Sequence, residues 1–383
     1  MGGLRRKRRE WEVIGFKGVP RSASFGLRAG LAVMAAAVMA IGAGCGDDDD
    51  DGGGGGGDGG GGSQEVVYNL PTPPSTLFYP ALVAEELGFF EEEGVSPDLA
   101  PAAEEISATA FLDNGDADIS FADVDEIILA RSKGGEHQAI FSPQHTNTAG
   151  IVVPEDSDIQ DISGVAGQTV GLESEESTRF LAAMLDEAGI NPDDVETAVV
   201  GTSGPLIAQT LEDGEIQAYV GNASDFTALS ANDVALRNIT PENVGRIDGN
   251  PLAVLPDTLA EKREAIVGFL RAWTKGQYVG QVNREVVEQI SREKVPAEWR
   301  NEASGEAALD LAISLMEPDD AERIGDLRPD VWDTGQDVLV RAGVLEEGDT
   351  IEVQEALNDA LIEEINDWDR AEVEAAAEEY AGG

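Results

Sequence analysis

From Glu65 to the C terminus, short apolar runs alternate with amphipathic stretches, and this alternation constrains the fold more than any other feature. The runs at 66–70, 96–100, 118–122, 138–142 and 150–153 have the length of buried strands, while 82–87, 108–112 and 124–131 carry helical spacing. Gly88, Asn114-Gly115 and Gly134 stand where those helices must stop. Such an order predicts a mostly parallel sheet covered by helices, an α/β fold. The pattern then restarts, with strands expected at 169–172, 195–200 and 218–220 and helices at 178–188 and 206–211. In the first of these helices Phe180, Leu181, Met184 and Leu185 share a face before Gly189 ends it, so a second, smaller α/β unit is expected. Beyond Pro251 a strand at 252–255 leads into helices over 259–280, 284–294, 305–315, 329–342 and 353–367, which should pack back onto the first unit. The last residues, 381–383, are expected to fray.

The chain before Glu65 has another character. Arg5, Arg6, Lys7, Arg8 and Arg9, then Lys17, Arg21 and Arg28, precede an apolar run at 29–43. A membrane-spanning helix needs roughly 20 apolar residues, so this shorter, Ala- and Gly-rich run fits a secretory signal instead. The only cysteine, Cys45, follows it in the string IGAGC, which resembles a bacterial lipobox with Gly42 where leucine is usual. Residues 1–45 are therefore expected to be a signal peptide with acylation at Cys45, leaving no disulfide to staple the fold. Residues 46–64, five aspartates and then mostly glycines, bury nothing and repel one another, which predicts a flexible tether. Lipid anchoring on the extracytoplasmic face of the cell membrane is the expected location.

Acidic residues outnumber basic ones by 75 to 25, a formal charge of −50, and the leader holds 8 of the basic residues. Phosphate binding needs a positive surface, so a nucleic-acid partner is excluded. The remaining length suffices for two lobes of ordinary size.

Several segments, in order, carry a family resemblance. Residues 81–95 read ALVAEELGFFEEEGV: a helix, a glycine stop, two aromatics and a glycine turn. FLDNGDADI at 111–119, IILARSKGG at 127–135, GIVV at 150–153, DISGVAGQTVG at 161–171 and AGINPDDV at 188–195 follow. Together they resemble the ABC-transporter substrate-binding proteins for thiamine-precursor pyrimidines and sulfonates. The resemblance implies the type II periplasmic-binding-protein fold, two α/β lobes joined by a two-strand hinge that close on a ligand. Lobe I would comprise 65–153 and 252–383, lobe II 154–251, with crossovers near Val153 and Leu252. It also implies delivery of the ligand to the permease and ATPase subunits of an importer by a monomeric receptor.

Ligands in α/β lobes sit beyond the carboxyl ends of strands, at helix amino termini. The loops there offer Thr72, Ser75, Tyr79, Asp123, Ser174, Ser177, Thr178, Ser203 and Asn222 as contacts. For the serines the alternative role is helix capping, for Tyr79 core packing, and for Asp123 capping of the helix that follows it. His137 and His145 are too few and too scattered for a metal site, and no cofactor is implied. Because the loops are rich in acids and hydroxyls, with Arg179 their only base, the expected ligand is neutral or cationic, a pyrimidine-like ring or an amine. Sulfonate or nitrate is the alternative. Two other functions compete. A pyrimidine synthase would carry, by the same resemblance, a cysteine-rich motif and a reactive histidine, and a sensor subunit would present its ligand to a membrane kinase; neither a nucleophile–base pair nor a phosphate-cradling loop occurs, so no catalysis is expected.

Overall fold

The first apolar run becomes β1 (Gln64–Asn69), and bonding on both its sides builds a sheet in the order β2-β1-β3-β10-β4. Its other members are β2 (Val95–Leu99), β3 (Ile119–Phe121), β4 (Gln138–Phe141) and, from far along the chain, β10 (Leu252–Val254). β1 runs parallel to β2 and β3, and β10 lies antiparallel between β3 and β4. The second sheet repeats the plan as β7-β6-β8-β5-β9. There β6 (Thr169–Leu172) is parallel to β7 (Glu196–Val199) and β8 (Ala218–Asn222), and β5 (Ala149–Pro154) is antiparallel between β8 and β9 (Leu236–Asn238). Each sheet thus takes its antiparallel strand from chain that has just crossed from the other, which ties two lobes together twice. Both sheets lie in a single compact unit. This computed structural model describes residues 63–70, 74–100, 106–175, 177–230, 232 and 234–382; the leader, Cys45, most of the tether and Thr72 lie outside the described residues.

In the first lobe come α1 (Tyr79–Glu86), α2 (Phe89–Glu92), α3 (Ala108–Asn114) and α4 (Val124–Ser132); in the second, α5 (Ser177–Glu187), α6 (Gly204–Glu212), α7 (Ala223–Ser230) and α8 (Glu242–Gly245). The return comprises α9 (Pro256–Glu261), α10 (Arg263–Val282), α11 (Arg284–Lys294), α12 (Glu302–Leu315), α13 (Pro329–Arg341), α14 (Ile362–Ile365) and α15 (Arg370–Ala381). Gly88 ends α1 with φ at 78°, a left-handed conformation that costs glycine nothing, as its place in the sequence requires. No helix among the described residues is long and apolar enough to cross a membrane.

α10 supplies the axis of the first-lobe core. Its Trp273 lies fully buried with ring centroid 4.8 Å from Phe121, and Phe121 meets Phe78 edge-on at 5.6 Å. A second core spans the lobes: Trp332 of α13 is buried with Ile127 and Ile128 of α4 and with Leu181 and Leu185 of α5. α12 likewise touches both sides, packing on the 3-10 turn Thr76–Phe78 and on α7.

The structure departs from the sequence expectations at several points. The chain leaves the first sheet after Phe141, not near Val153, because β5 finds its partners β8 and β9 in the second sheet. The two crossing segments, 142–148 and 239–251, meet in one antiparallel bridge between Gln144 and Gly249. The expected helix over 353–367 is broken: Leu357 bridges to Ala139 at the sheet edge, and Asn358 donates its N–H to the Ala139 carbonyl at 2.9 Å, so only Val353–Ala356 and α14 wind up. Conversely, the chain end forms α15, started by Asp369 accepting from the Ala371 N–H, because Val373 and Ala377 four residues apart have a core to cover.

Candidate functional site

The cleft is a cavity of about 730 Å³ reached from both lobes. From the first lobe come Ser75 and Phe78, which follow β1, and Asp123, which follows β3. The second lobe supplies Asn222 at the end of β8 and Thr227 of α7, while the crossing segments contribute Thr148 and Asn250. The third wall is Glu298, Ser304 and Leu311, before and within α12. Strand ends and helix starts therefore converge there, as parallel α/β topology demands.

Asp123 occupies the N-cap of α4, where Glu126 reaches back to accept its backbone N–H at 3.3 Å. Asn250 Nδ2 donates to Asp123 Oδ1 at 2.8 Å. Asn250 is the only non-glycine residue among those described with positive φ, 47°, a strained left-handed conformation held at the hinge beside the cleft. Asp123 is exposed to solvent within the cleft, yet the cleft itself is sunk deep in the mass of the protein. That burial, reinforced by the charges of Asp125 and Glu126, pushes its carboxyl up to about 7. Asp125 and Glu126 are raised too, chiefly by burial and against backbone hydrogen bonds that lower them.

On the second lobe, Asn222 is held on three sides. Its Nδ2 donates to Glu173 Oε2 at 3.0 Å, its backbone N–H to Asp225 Oδ2 at 3.1 Å, and its Oδ1 accepts from the Ser224 N–H at 3.0 Å. Burial and then the contact with Asp225 raise the Glu173 carboxyl. Opposite, Glu298 Oε2 accepts from the Thr76 N–H at 3.1 Å and from its hydroxyl at 2.5 Å, so the turn after β1 is pinned to the return. α12 is locked to α11 through Arg284 and Arg292, which pair with Glu288, Glu302 and Glu306. Those three carboxylates come within 4.8 Å of one another, but the two guanidiniums already satisfy them.

The structure brings together three of the expected contacts, Ser75, Asp123 and Asn222. Tyr79 is wholly buried, and its hydroxyl donates to the Gln277 carbonyl at 3.0 Å; it belongs to the core, as does its neighbour Phe78, which only backs the cavity wall. Ser174 and Ser177 sit 3.3 Å apart, hydroxyl to hydroxyl, behind Glu173, while Thr178 and Ser203 are exposed; none of the four lines the cavity. His137 and His145 are buried, with Nε2 3.3 Å from the Thr109 carbonyl and 3.0 Å from the Asp326 carbonyl respectively. Sequence reasoning missed Asn250, Thr148 and Glu298. Asn250, between Gly249 and Pro251, carried a turn signal, but Glu298 lies in a helical region and only tertiary packing delivers it.

The NMT1/THI5 like family model matches residues 75–279, more than half of the chain and every strand from β2 to β10. The chain belongs to the NMT1/THI5 like family. A 4-amino-5-hydroxymethyl-2-methylpyrimidine phosphate synthase of Legionella pneumophila is 23% identical over 229 residues, 56% of this chain and 69% of that protein. Among solved structures, the periplasmic aliphatic sulphonate binding protein SsuA of Escherichia coli superposes with a TM-score of 0.58 at 13% identity, covering 76% of this chain and 97% of its own. The ligand binding component of an ABC-type import system from Staphylococcus aureus gives 0.54 at 13% identity, covering 79% and 98%. At these identities the likeness fixes the architecture, and the NMT1/THI5 like chain has the two-lobe fold of periplasmic binding proteins.

Proposed function

We propose that this NMT1/THI5 like protein is an extracytoplasmic solute receptor, anchored by a lipid on Cys45, that closes its lobes on a small organic molecule. It hands that molecule to the permease and ATPase of an ABC importer. The observation that carries the reading is the cleft: it draws walls from both lobes at strand ends, so a ligand touching both favours the closed state by population shift.

The lining bears the acids Asp123 and Glu298 and amides at Asn222 and Asn250, is backed by the buried Phe78 ring, and among its described residues has no lysine or arginine. Such a surface suits a ring with donor groups or an amine and disfavours sulfonate or nitrate, which call for basic groups or dense N–H donors. Asp123, Asn222 and Ser75 are the proposed polar contacts.

The synthase in Legionella pneumophila favours a second reading, pyrimidine chemistry. Against it stand the single cysteine, at position 45 next to the leader, and two histidines that do not line the cavity. A thermal-shift screen against pyrimidines, amines, flavins and sulfonates separates the readings. A true ligand at about 100 times its dissociation constant adds about 2.7 kcal/mol of stability. Protection by a pyrimidine or amine without turnover supports the receptor; turnover of the protecting compound establishes the enzyme.

A further inference from the structure

Asp123 borders a second open space as well. A second cavity of about 230 Å³ shares Asp123 and Thr148 with the cleft and lies between α4, the crossing segments, α5 and α13. Its apolar wall includes Val124, Phe180, Val338 and Leu339, drawn from both lobes and from the return. Its charged residues are all acidic: Asp123, Asp125 and Asp248, of which Asp248 is committed to Arg328 and Trp332. Gly335 forms part of the wall, where a Cβ would stand 3.1 Å from Val124 Cγ1. At about 230 Å³ the inner cavity exceeds several times over the roughly 30 Å³ share of one water-sized group, enough for a substituent of a few carbons.

We infer that the two cavities form one bipartite site for an N-substituted organic amine, its nitrogen at Asp123, its larger ring in the outer cavity and a short apolar substituent in the inner one. The inference rests on the receptor reading and narrows its ligand class. Carboxylate at the junction matches an ammonium with groups on two sides, and the apolar inner wall matches a hydrocarbon tail while offering an anionic or strongly hydrated one no partner.

The test is calorimetric titration of the full chain at pH 8 with benzylamine and N-propylbenzylamine, in wild type and in the Gly335→Val and Ala149→Val proteins. Ala149 lines the inner cavity from β5, so the second variant fills it from the opposite side should the first fail to fold. In wild type the propyl group is expected to raise affinity at least about tenfold, the worth of a few buried methylenes. The ratio of the two affinities should collapse toward one in the filled variants. A ratio near one in wild type, or a gain that survives filling, overturns the bipartite site while benzylamine binding leaves the amine receptor standing. Failure of both amines to bind removes the amine reading and this inference together.

Discussion

Asn250 and Asp123, 127 residues apart in sequence, are joined at 2.8 Å across the hinge, and this bond places the carboxyl with the raised pKa at the junction of the two cavities. The carboxyl ordinarily ionises near 3.8, but the fold favours its neutral form up to about 7. Folding therefore takes up a proton between those values, and the stability this group contributes is full at low pH and is lost as pH rises through about 7. Asp123→Asn cannot ionise. In urea unfolding of the ligand-free protein, its advantage over wild type should widen from pH 5 to pH 8, reaching on the order of 1 kcal/mol after discounting for water in the cleft. A constant gap would show that Asp123 titrates normally.

The Asp248 side chain is buried and accepts from Arg328 Nε at 2.9 Å and from Trp332 Nε1 at 3.1 Å, which fastens the second crossing segment to α13. Burial raises its carboxyl in spite of the guanidinium beside it. Asp248→Ala strips Arg328 of its buried partner and leaves it only the exposed Asp319 at 3.6 Å and the Arg246 carbonyl, at a cost of about 3 kcal/mol in denaturant unfolding. Replacing both residues, with Asp248→Leu and Arg328→Met, should recover most of that loss. A double-mutant cycle with no coupling would deny the pair its structural role.

Gly276 and Gly280, one helical turn apart on α10, let α1 approach closely. A Cβ on Gly276 would overlap the Pro80 carbonyl oxygen, and one on Gly280 would overlap the Tyr79 phenol. Backbone at Pro80 has nowhere to move, so Gly276→Ala should cost about 2–3 kcal/mol despite alanine's better helix propensity. A stabilised Gly276→Ala protein would mean that the two helices separate easily.

The lobes were legible because apolar runs and glycine stops are local: β6 and α11 form where the sequence puts them, and the order of strands and helices dictated the sheets. Partnership was less so. The run at 149–154 looks the same whichever sheet it joins, and only pairing with β8 assigns it to the second lobe. α15 carries a weak apolar pattern, Val373 and Ala377 amid glutamates, and is fixed by the core beneath it. In the site, Asp123 and Asn222 were visible as residues that follow strands. Glu298 and Thr148 were not, since a helical return and a crossing segment bring them in, and Tyr79 was misplaced because its ring packs into the core under α10, where a strand-end position in sequence does not reveal it.

The central question is whether the cleft binds a neutral or cationic ring through Asp123. Titration of the full chain with 4-aminopyrimidines, aralkyl amines and alkyl sulfonates, repeated with Asp123→Asn, measures it. At pH 8, saturable binding of an amine or aminopyrimidine without turnover is expected, weakened at least about tenfold by Asp123→Asn through loss of a charge-assisted contact. Tight binding of an alkyl sulfonate with none of the amines or pyrimidines, or binding indifferent to Asp123→Asn, would contradict it.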